Sequence, residues 1–348
     1  MTNVLIGLVA FLFIVSLVQI VRVSELLSKL NNQDTNVVTE RDNQSQGFLF
    51  LLMIPLFLGF VVWQMISWNK YILTDASSVH GTTIDGLMDF TMITILILFF
   101  VLTPLLFYFA YKYRGRVNNK ALFYPENHRL EIAWTIIPAI FLTGLIIYGL
   151  RTWDEAMNVD TTDSQIIEVY GQGLGKFGWT ARYSGEDNVL GDANYKLFTA
   201  SNYLGVDTND IAFHDDMITT EVHLVKDRPV LLKFRSRDVI HSAYLPHFRV
   251  QMNCVPGVTT QFGFTPTKTT AEMRKDPKII EQMKSINNIR KEQGKEKVEF
   301  DYVLLCNKIC GSQHYNMKMK FVVETEEEYN NWISKQKTLG SKLLTSKK

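Results

Sequence analysis

Four stretches in the first half of the chain, residues 1–21, 47–68, 90–111 and 132–150, contain no Asp, Glu, Lys or Arg. A hydrocarbon core of about 30 Å is crossed by roughly 20 helical residues, and each stretch meets or nearly meets that length. Pro55 and Pro104 lie inside the second and third, and membrane helices tolerate proline better than soluble ones because neighbouring groups re-satisfy the freed backbone. The pattern predicts four membrane spans. The first has no positive residue ahead of its apolar run and no small-x-small cleavage site before Arg22, so it is expected to be retained and not removed as a signal peptide. Between the first two spans, residues 24–46 are polar and low in aromatics, which reads as a flexible connection.

From Gln165 to Val323 the pattern changes to short β-branched and aromatic runs: QIIEVYG, WTARYSG, ITTEVHLV, PVLLKF, TTQFGFT, FDYVLLC and MKFVVE. Breaks containing Asp, Gly and Pro separate them. About seven strands without intervening helices predict a β-sandwich or Greek-key barrel. Residues 270–297 are the exception. Ile279, Ile280, Met283 and Ile286 fall at helical spacing among eight basic residues, which predicts an inserted helical hairpin or excursion. Thr325 with Glu328 matches a capping box opening a short helix through Trp332, and the last dozen residues are expected to be a loose tail.

Composition sharpens the contrast between the halves. Of 71 charged residues, 19 precede Asp154, so a single soluble globule is excluded. The net charge of +1 gives no reason to expect a nucleic-acid partner, and three cysteines are too few for a disulfide scaffold. Arg22, Lys29 and Arg41 follow the first span, and Lys112, Arg114, Arg116, Lys120 and Arg129 follow the third, whereas residues 69–89 carry only Lys70 with Asp75, Asp85 and Asp89. The positive-inside rule therefore puts the first two segments in the cytoplasm or its organellar equivalent, and everything after Trp153 outside.

The densest chemistry lies in Cys306-Asn-Lys-Ile-Cys310-Gly-Ser-Gln-His314-Tyr-Asn-Met317. Thiolate and thioether suit soft copper, and imidazole suits copper in either redox state. The pattern lacks the two closely spaced ligand pairs of zinc fingers. A Cys306–Cys310 disulfide is the structural alternative, against which the ordered Cys, Cys, His, Met series argues. A second imidazole comes from Asp238-Val-Ile-His241, just after a strand. Blue-copper sites on β-sandwiches use one cysteine, two histidines and a weak methionine. The additional thiolate here is enough to bridge two copper ions.

These residues resemble subunit II of the haem–copper cytochrome c oxidases. Cys306, Cys310, His314 and Met317 fit the family's Cys-x3-Cys-x3-His-x2-Met spacing, and DVIHS fits its upstream histidine. NCVPG at 253–257 is similar to the turn after that histidine, and LEIAWTIIP at 130–138 resembles the start of its last membrane helix. The likeness covers roughly residues 88–265 and 298–323. It implies a membrane helical hairpin followed by an all-β cupredoxin-like Greek-key sandwich. It also implies a binuclear copper centre, CuA, held by His241, Cys306, Cys310, His314, Met317 and the backbone carbonyl of Lys308. The family's usual glutamate at position 308 helps hold magnesium at the contact with subunit I; lysine keeps the carbonyl and loses the carboxylate, which puts that magnesium in doubt. Glu131 corresponds to the mouth of a proton path into subunit I, or is an interfacial carboxylate at a helix N-terminus. Phe177 and Trp179, in Lys176-Phe177-Gly-Trp179, resemble the aromatic cluster through which cytochrome c delivers electrons; plain strand packing is the alternative for both.

The implied function is electron transfer from cytochrome c, or a cytochrome c domain, to haem in subunit I, where oxygen is reduced and protons are translocated. The implied partners are subunit I, further oxidase subunits and membrane lipid. A copper-free quinol-oxidase subunit would lack the ligands, and a copper-delivery protein would favour more exposed, exchangeable ones. Nitrous oxide reductase needs a further catalytic domain. The expected organisation is an additional span pair with its cytoplasmic loop at 1–68, the family's hairpin at 69–153, an outward domain at 154–325 with the insertion 270–297, and a helix and tail at 326–348. The additional spans point to a bacterial inner membrane more than a mitochondrial one. The insertion is expected either near the donor's docking face, in contact with a fixed partner, or as a solvated helical hairpin. Cys254 reads as a small buried residue and His247 as surface or near the copper, while His80, His128, His214 and His223 have no assigned role.

Overall fold

The structure is a computed structural model and describes residues 2–30, 37–158, 162–173, 177–199 and 202–341. Four long helices come first: α1 (Thr2–Leu30), α2 (Glu40–Trp68), α3 (Val79–Lys112) and α4 (His128–Met157). All four are long and apolar enough to cross a membrane, and the most apolar window of each is 0% buried within the chain. Apolar surface turned outward over such lengths is matched by lipid and not by water. The segment 24–46 is not the expected flexible connection: α1 runs through it to Leu30 and α2 begins at Glu40, while residues 31–36 lie outside the described residues. The local reason at the second helix is a cap. The Thr39 hydroxyl accepts the Asp42 N–H, and the Asp42 carboxylate accepts the Thr39 N–H, so helix-forming polar residues extend the turn beyond the apolar run.

The chain divides into two compact units. In the first, residues 1–66 and 95–127, Phe57 of α2 packs against Phe99 and Phe107 of α3. Gly47 admits the Arg114 side chain, which lies over the Tyr111 ring.

The second unit, residues 67–94 and 128–348, holds the ten strands. β1 (Gln165–Gln172), β2 (Gly178–Tyr183), β3 (Met217–Thr219), β5 (Val230–Ser236) and β8 (Thr260–Phe264) form one sheet in the order β3-β2-β1-β5-β8. β4 (Glu221–Val225), β6 (His241–Leu245), β7 (Val250–Cys254), β9 (Tyr302–Cys306) and β10 (Lys318–Glu324) form the other, in the order β4-β10-β9-β6-β7. Period-two alternation turns Ile167, Val169, Leu232, Phe234, Met319, Phe321 and Val323 into the core between the sheets. The result is a cupredoxin-like Greek-key sandwich.

The outer face of the first sheet is covered as well. Segments 185–199 and 202–216 lie over it, with Tyr170, Leu204, Val206 and Phe213 forming a second small core. Charges buried beneath this cover are paired. Arg182 donates to Glu168 and Asp216, and Arg235 donates to the other Glu168 oxygen, as burial of ions demands. The expected loose tail is held over part of its length: Thr338 bridges to Met217, the Leu339 N–H donates to Asp216 O, and Gly340 N–H donates to His214 O. The rest of that tail, 342–348, lies outside the described residues.

The insertion forms α5 (Thr270–Met273) and α6 (Pro277–Glu292). Met273 and Ile279 bury against Phe300, and Arg274 donates to Phe300 O and Asp301. These helices therefore sit at the Tyr302 end of β9, opposite Cys306. The helix following, α7 (Glu326–Ile333), carries the Thr325–Glu328 capping box.

Where α3 meets the sandwich, Arg249 grips Asp85 with two nearly parallel bonds of 2.7 and 2.9 Å and donates a third to Thr74 O. Asp85 also accepts the Ala76 N–H. Arg249 sits at φ 55°, a left-handed conformation held by these bonds. Replacing Arg249 with Met should lower the unfolding free energy of the sandwich by about 2 kcal/mol, because Asp85 is left half-buried and unpaired. Chemical denaturation of the purified chain measures this; an unchanged midpoint would remove the brace from the account.

Candidate metal centre

Strand register assembles the site. β6 pairs antiparallel with β9, putting Ala243 opposite Cys306, so His241 at the start of β6 and Cys306 at the end of β9 share one rim of the sheet. The loop leaving Cys306 returns at Met317. Cys306 N–H donates to Met317 O at 3.1 Å and Asn307 N–H donates to Ser242 O at 2.9 Å. Gly311, at φ 140°, turns the chain between Cys310 and His314 in a conformation that favours glycine.

The donor atoms form a compact cluster, those of His241, Cys306 and Cys310 all lying within 4.8 Å of one another. His241 Nδ1 lies 3.9 Å from Cys306 Sγ, which lies 3.6 Å from Cys310 Sγ, which lies 3.5 Å from His314 Nδ1. Met317 Sδ is 3.7 Å from Cys310 Sγ, and the Lys308 carbonyl oxygen is 3.2 Å from Cys306 Sγ. Both cysteines are free thiols. Each sulfur thus has one imidazole beside it, and the two weak donors flank different sulfurs. Soft sulfur with imidazole at this spacing suits copper by donor chemistry.

The metal-free pair is electrostatically lopsided. Burial resists ionisation of Cys306, yet the hydrogen bonds from His241 and the Ser242 backbone outweigh it and bring the thiol down to about 6. Burial, reinforced by the charge on Cys306, pushes Cys310 up to about 12. His241 is raised: its burial is outweighed by its bonds to Cys306 and Asp238. A metal held by both sulfurs would displace the proton that Cys310 keeps.

Asp238 is the functional residue that the sequence reading left without a role. Its Oδ1 is 3.0 Å from His241 Nε2, and its Oδ2 accepts the Gly173 N–H at 2.6 Å. It therefore fixes the imidazole with Nδ1 toward the sulfurs, as carboxylates do behind metal-binding histidines. A carboxylate three residues before a ligand, at the β5–β6 turn, was the available signal. Gly171 gives the ring its room, since a Cβ there would meet His241 Cδ2 and Trp179 Cζ3 at 3.0 Å.

Trp179 is buried, edge-on to His241 at 5.9 Å, and its indole N–H donates to Met317 O at 3.4 Å. Phe177 is half-buried in contact range of Gly173 and Gly311; Lys176 beside it lies outside the described residues. Glu131 sits apart from the centre, in the first turn of α4, 3.1 Å from His128 Nδ1.

The other candidates separate from the metal centre. Cys254 is fully buried opposite His241 in the β6–β7 register, and burial pushes its thiol up to about 12. His247 is half-buried and lies away from the sulfurs. It packs on Phe300 and Tyr302 at the far end of β6, where burial and then Arg249 lower it to about 4. His80 packs on Phe262, and His223 stacks on Trp332 with Nδ1 2.9 Å from Glu324.

Fold and site together define four helices apolar enough to span a membrane and a cupredoxin-like domain carrying a candidate metal site of two thiols and two imidazoles. Residues 62–152 match the family model of the cytochrome c oxidase subunit II transmembrane domain. The chain is 28% identical over 297 residues to the alternative cytochrome c oxidase subunit 2 of Bradyrhizobium diazoefficiens, covering 83% of this chain and 92% of that one. It is 24% identical over 301 residues to cytochrome c oxidase subunit 2 of Synechocystis, covering 81% and 82%. Among solved structures, the periplasmic domain of subunit II of cytochrome oxidase from Bradyrhizobium japonicum aligns at 17% identity and a TM-score of 0.30. That alignment covers 50% of this chain and 93% of that one. A subunit of a haem–copper terminal oxidase dimer aligns at 12% identity and 0.30, covering 56% and 98%. The chain is related to subunit II of the cytochrome c oxidases.

Replacing Asp238 with Ala should weaken copper binding by about 10–100-fold while leaving the fold intact. Competition against a chelator of known affinity reads this directly; wild-type affinity in the variant would strip Asp238 of its positioning role.

Proposed function

We propose that this chain is the electron-accepting subunit of a proton-translocating cytochrome c oxidase. His241, Cys306, Cys310, His314, Met317 and the Lys308 carbonyl would hold two copper ions. The observation that carries the reading is the His241–Cys306–Cys310–His314 cluster with one weak donor beside each sulfur. When bound, the copper pair supplies a one-electron carrier whose charge is spread over two metals. The chain's own residues do the rest. The two-loop geometry holds the donors in place, Asp238 fixes one imidazole, and the buried Trp179 beside His241 closes that rim of the sandwich.

Electrons come from cytochrome c or a cytochrome c domain and pass to haem in subunit I, which reduces oxygen to water. Phe177, half-buried against the metal loop, is the better candidate for the donor-side aromatic, because Trp179 has too little exposed surface to meet a partner. Glu131, half-exposed beside His128, is the candidate mouth of a proton path. The outward domain is periplasmic in this reading, in a bacterial inner membrane.

The test is rapid mixing of reduced cytochrome c with the purified oxidase. Haem in the partner subunit should be reduced promptly in the wild type. It should be reduced far more slowly in Cys306→Ser, with haem content and subunit composition unchanged. Equal rates in the two proteins, or purification of the chain with no haem-bearing partner, would overturn the proposal.

A further inference from the structure

Helix α6 has two useful faces. Ile279 and Met283 turn into the sandwich core. Beside them runs a second stripe, Lys278, Gln282, Ile286 and Ile289, spaced by four, four and three residues and therefore on one side of the helix. Ile286 is 43% exposed and Ile289 53%. Ile280 is also exposed, at 53%, on another side of α6, but Ile286 and Ile289 lie together on the side that carries Gln282, and that apolar pair calls for an occupant.

The neighbouring chain indicates which one. The Gln282 side-chain amide donates to Lys70 O at 3.5 Å. Lys70 lies two residues beyond Trp68, the last residue of α2. Trp68 and Tyr71 are both exposed with their rings 5.2 Å apart, Lys70 Nζ is 5.1 Å from the Tyr71 ring, and Ile72 is exposed as well. Tryptophan, tyrosine and lysine at the end of an apolar span are the side chains that settle at the headgroup level. An α-helix is about 10–12 Å across, and the headgroup layer extends roughly 5–7 Å beyond the hydrocarbon on each side. A helix bonded to Lys70 therefore lies at the bilayer surface. Its charge fits that place: Lys275, Lys278, Lys284, Lys291, Lys295 and Lys297 are all exposed.

We propose that the Gln282–Ile289 side of α6 is an interfacial lipid-binding face for anionic phospholipid. Ile286 and Ile289 enter the headgroup–acyl boundary, continuing the belt of Trp68, Tyr71 and Ile72, and the flanking lysines meet lipid phosphates. The proposal rests on α2 being a membrane span and is independent of what the thiolates bind. Because α5 and α6 bury against Phe300 at the start of the segment leading to β9, this face is a second anchor for the strand that carries Cys306.

The test is amide hydrogen exchange over residues 284–292 of the full chain. It is measured in uncharged detergent, in phosphatidylcholine nanodiscs, and in nanodiscs containing phosphatidylglycerol. Exchange should slow by about fivefold or more in the phosphatidylglycerol discs, the effect of at least one lysine held at an anionic surface. Ile286→Gln with Ile289→Gln should reverse the protection. Lys278→Gln with Lys284→Gln and Lys291→Gln, which leaves the core-facing stripe untouched, should abolish the difference between the two lipids. Equal exchange in all three environments would overturn the proposal. So would protection that arises only when haem-bearing partner subunits are present, which assigns the face to a protein.

Discussion

One backbone hydrogen bond closes the loop on which the centre depends: Cys306 N–H to Met317 C=O. It ties the end of β9 to the start of β10, so that the segment between them must fold back on itself and bring Cys310 and His314 over Cys306. The β6–β9 register then delivers His241 from 65 residues away in sequence. The same Met317 carbonyl also accepts the Trp179 N–H, linking the loop to the opposite sheet. Nothing about the ligands is local except their spacing; their convergence belongs to the sandwich.

That convergence is electrostatically demanding. Two sulfurs 3.6 Å apart cannot both carry charge without a cation, and the lopsided ionisation of Cys306 and Cys310 expresses this. Imidazoles at each end and a carboxylate behind one of them are what a dicationic or dinuclear occupant would use. In the proposed role such a rim would serve electron transfer, since donors that are already placed move little when the charge changes.

The sequence made different parts of this legible to different degrees. The four spans followed from unbroken apolar runs, and the sandwich followed from two-residue alternation, because both patterns report directly on what each residue faces. Cys306, Cys310, His314 and Met317 were readable as a set because their spacing is carried by one loop. Asp238 was quoted without a role, because its bond to His241 depends on the turn between β5 and β6. The insertion could be read as helical from Ile279, Met283 and Ile286. Its place at the Tyr302 end of β9 could not, because that is decided by packing against Phe300. Residues 337–341 carry no strong pattern and are held by backbone bonds to Asp216 and His214, which composition does not encode. Segment 24–46 was misread for a related reason: polar residues next to a span inherit its helical turn once a cap such as Thr39 is in place.

The central claim is that one loop and one strand bring two thiolates together as a shared pair of metal bridges. Copper analysis with electron paramagnetic resonance of the oxidised, copper-loaded chain tests it most directly. The account predicts two coppers per chain and a hyperfine pattern from one unpaired electron shared equally by two copper nuclei. A single copper with the hyperfine pattern of one nucleus, or no copper with Cys306 and Cys310 joined as a disulfide, would contradict it.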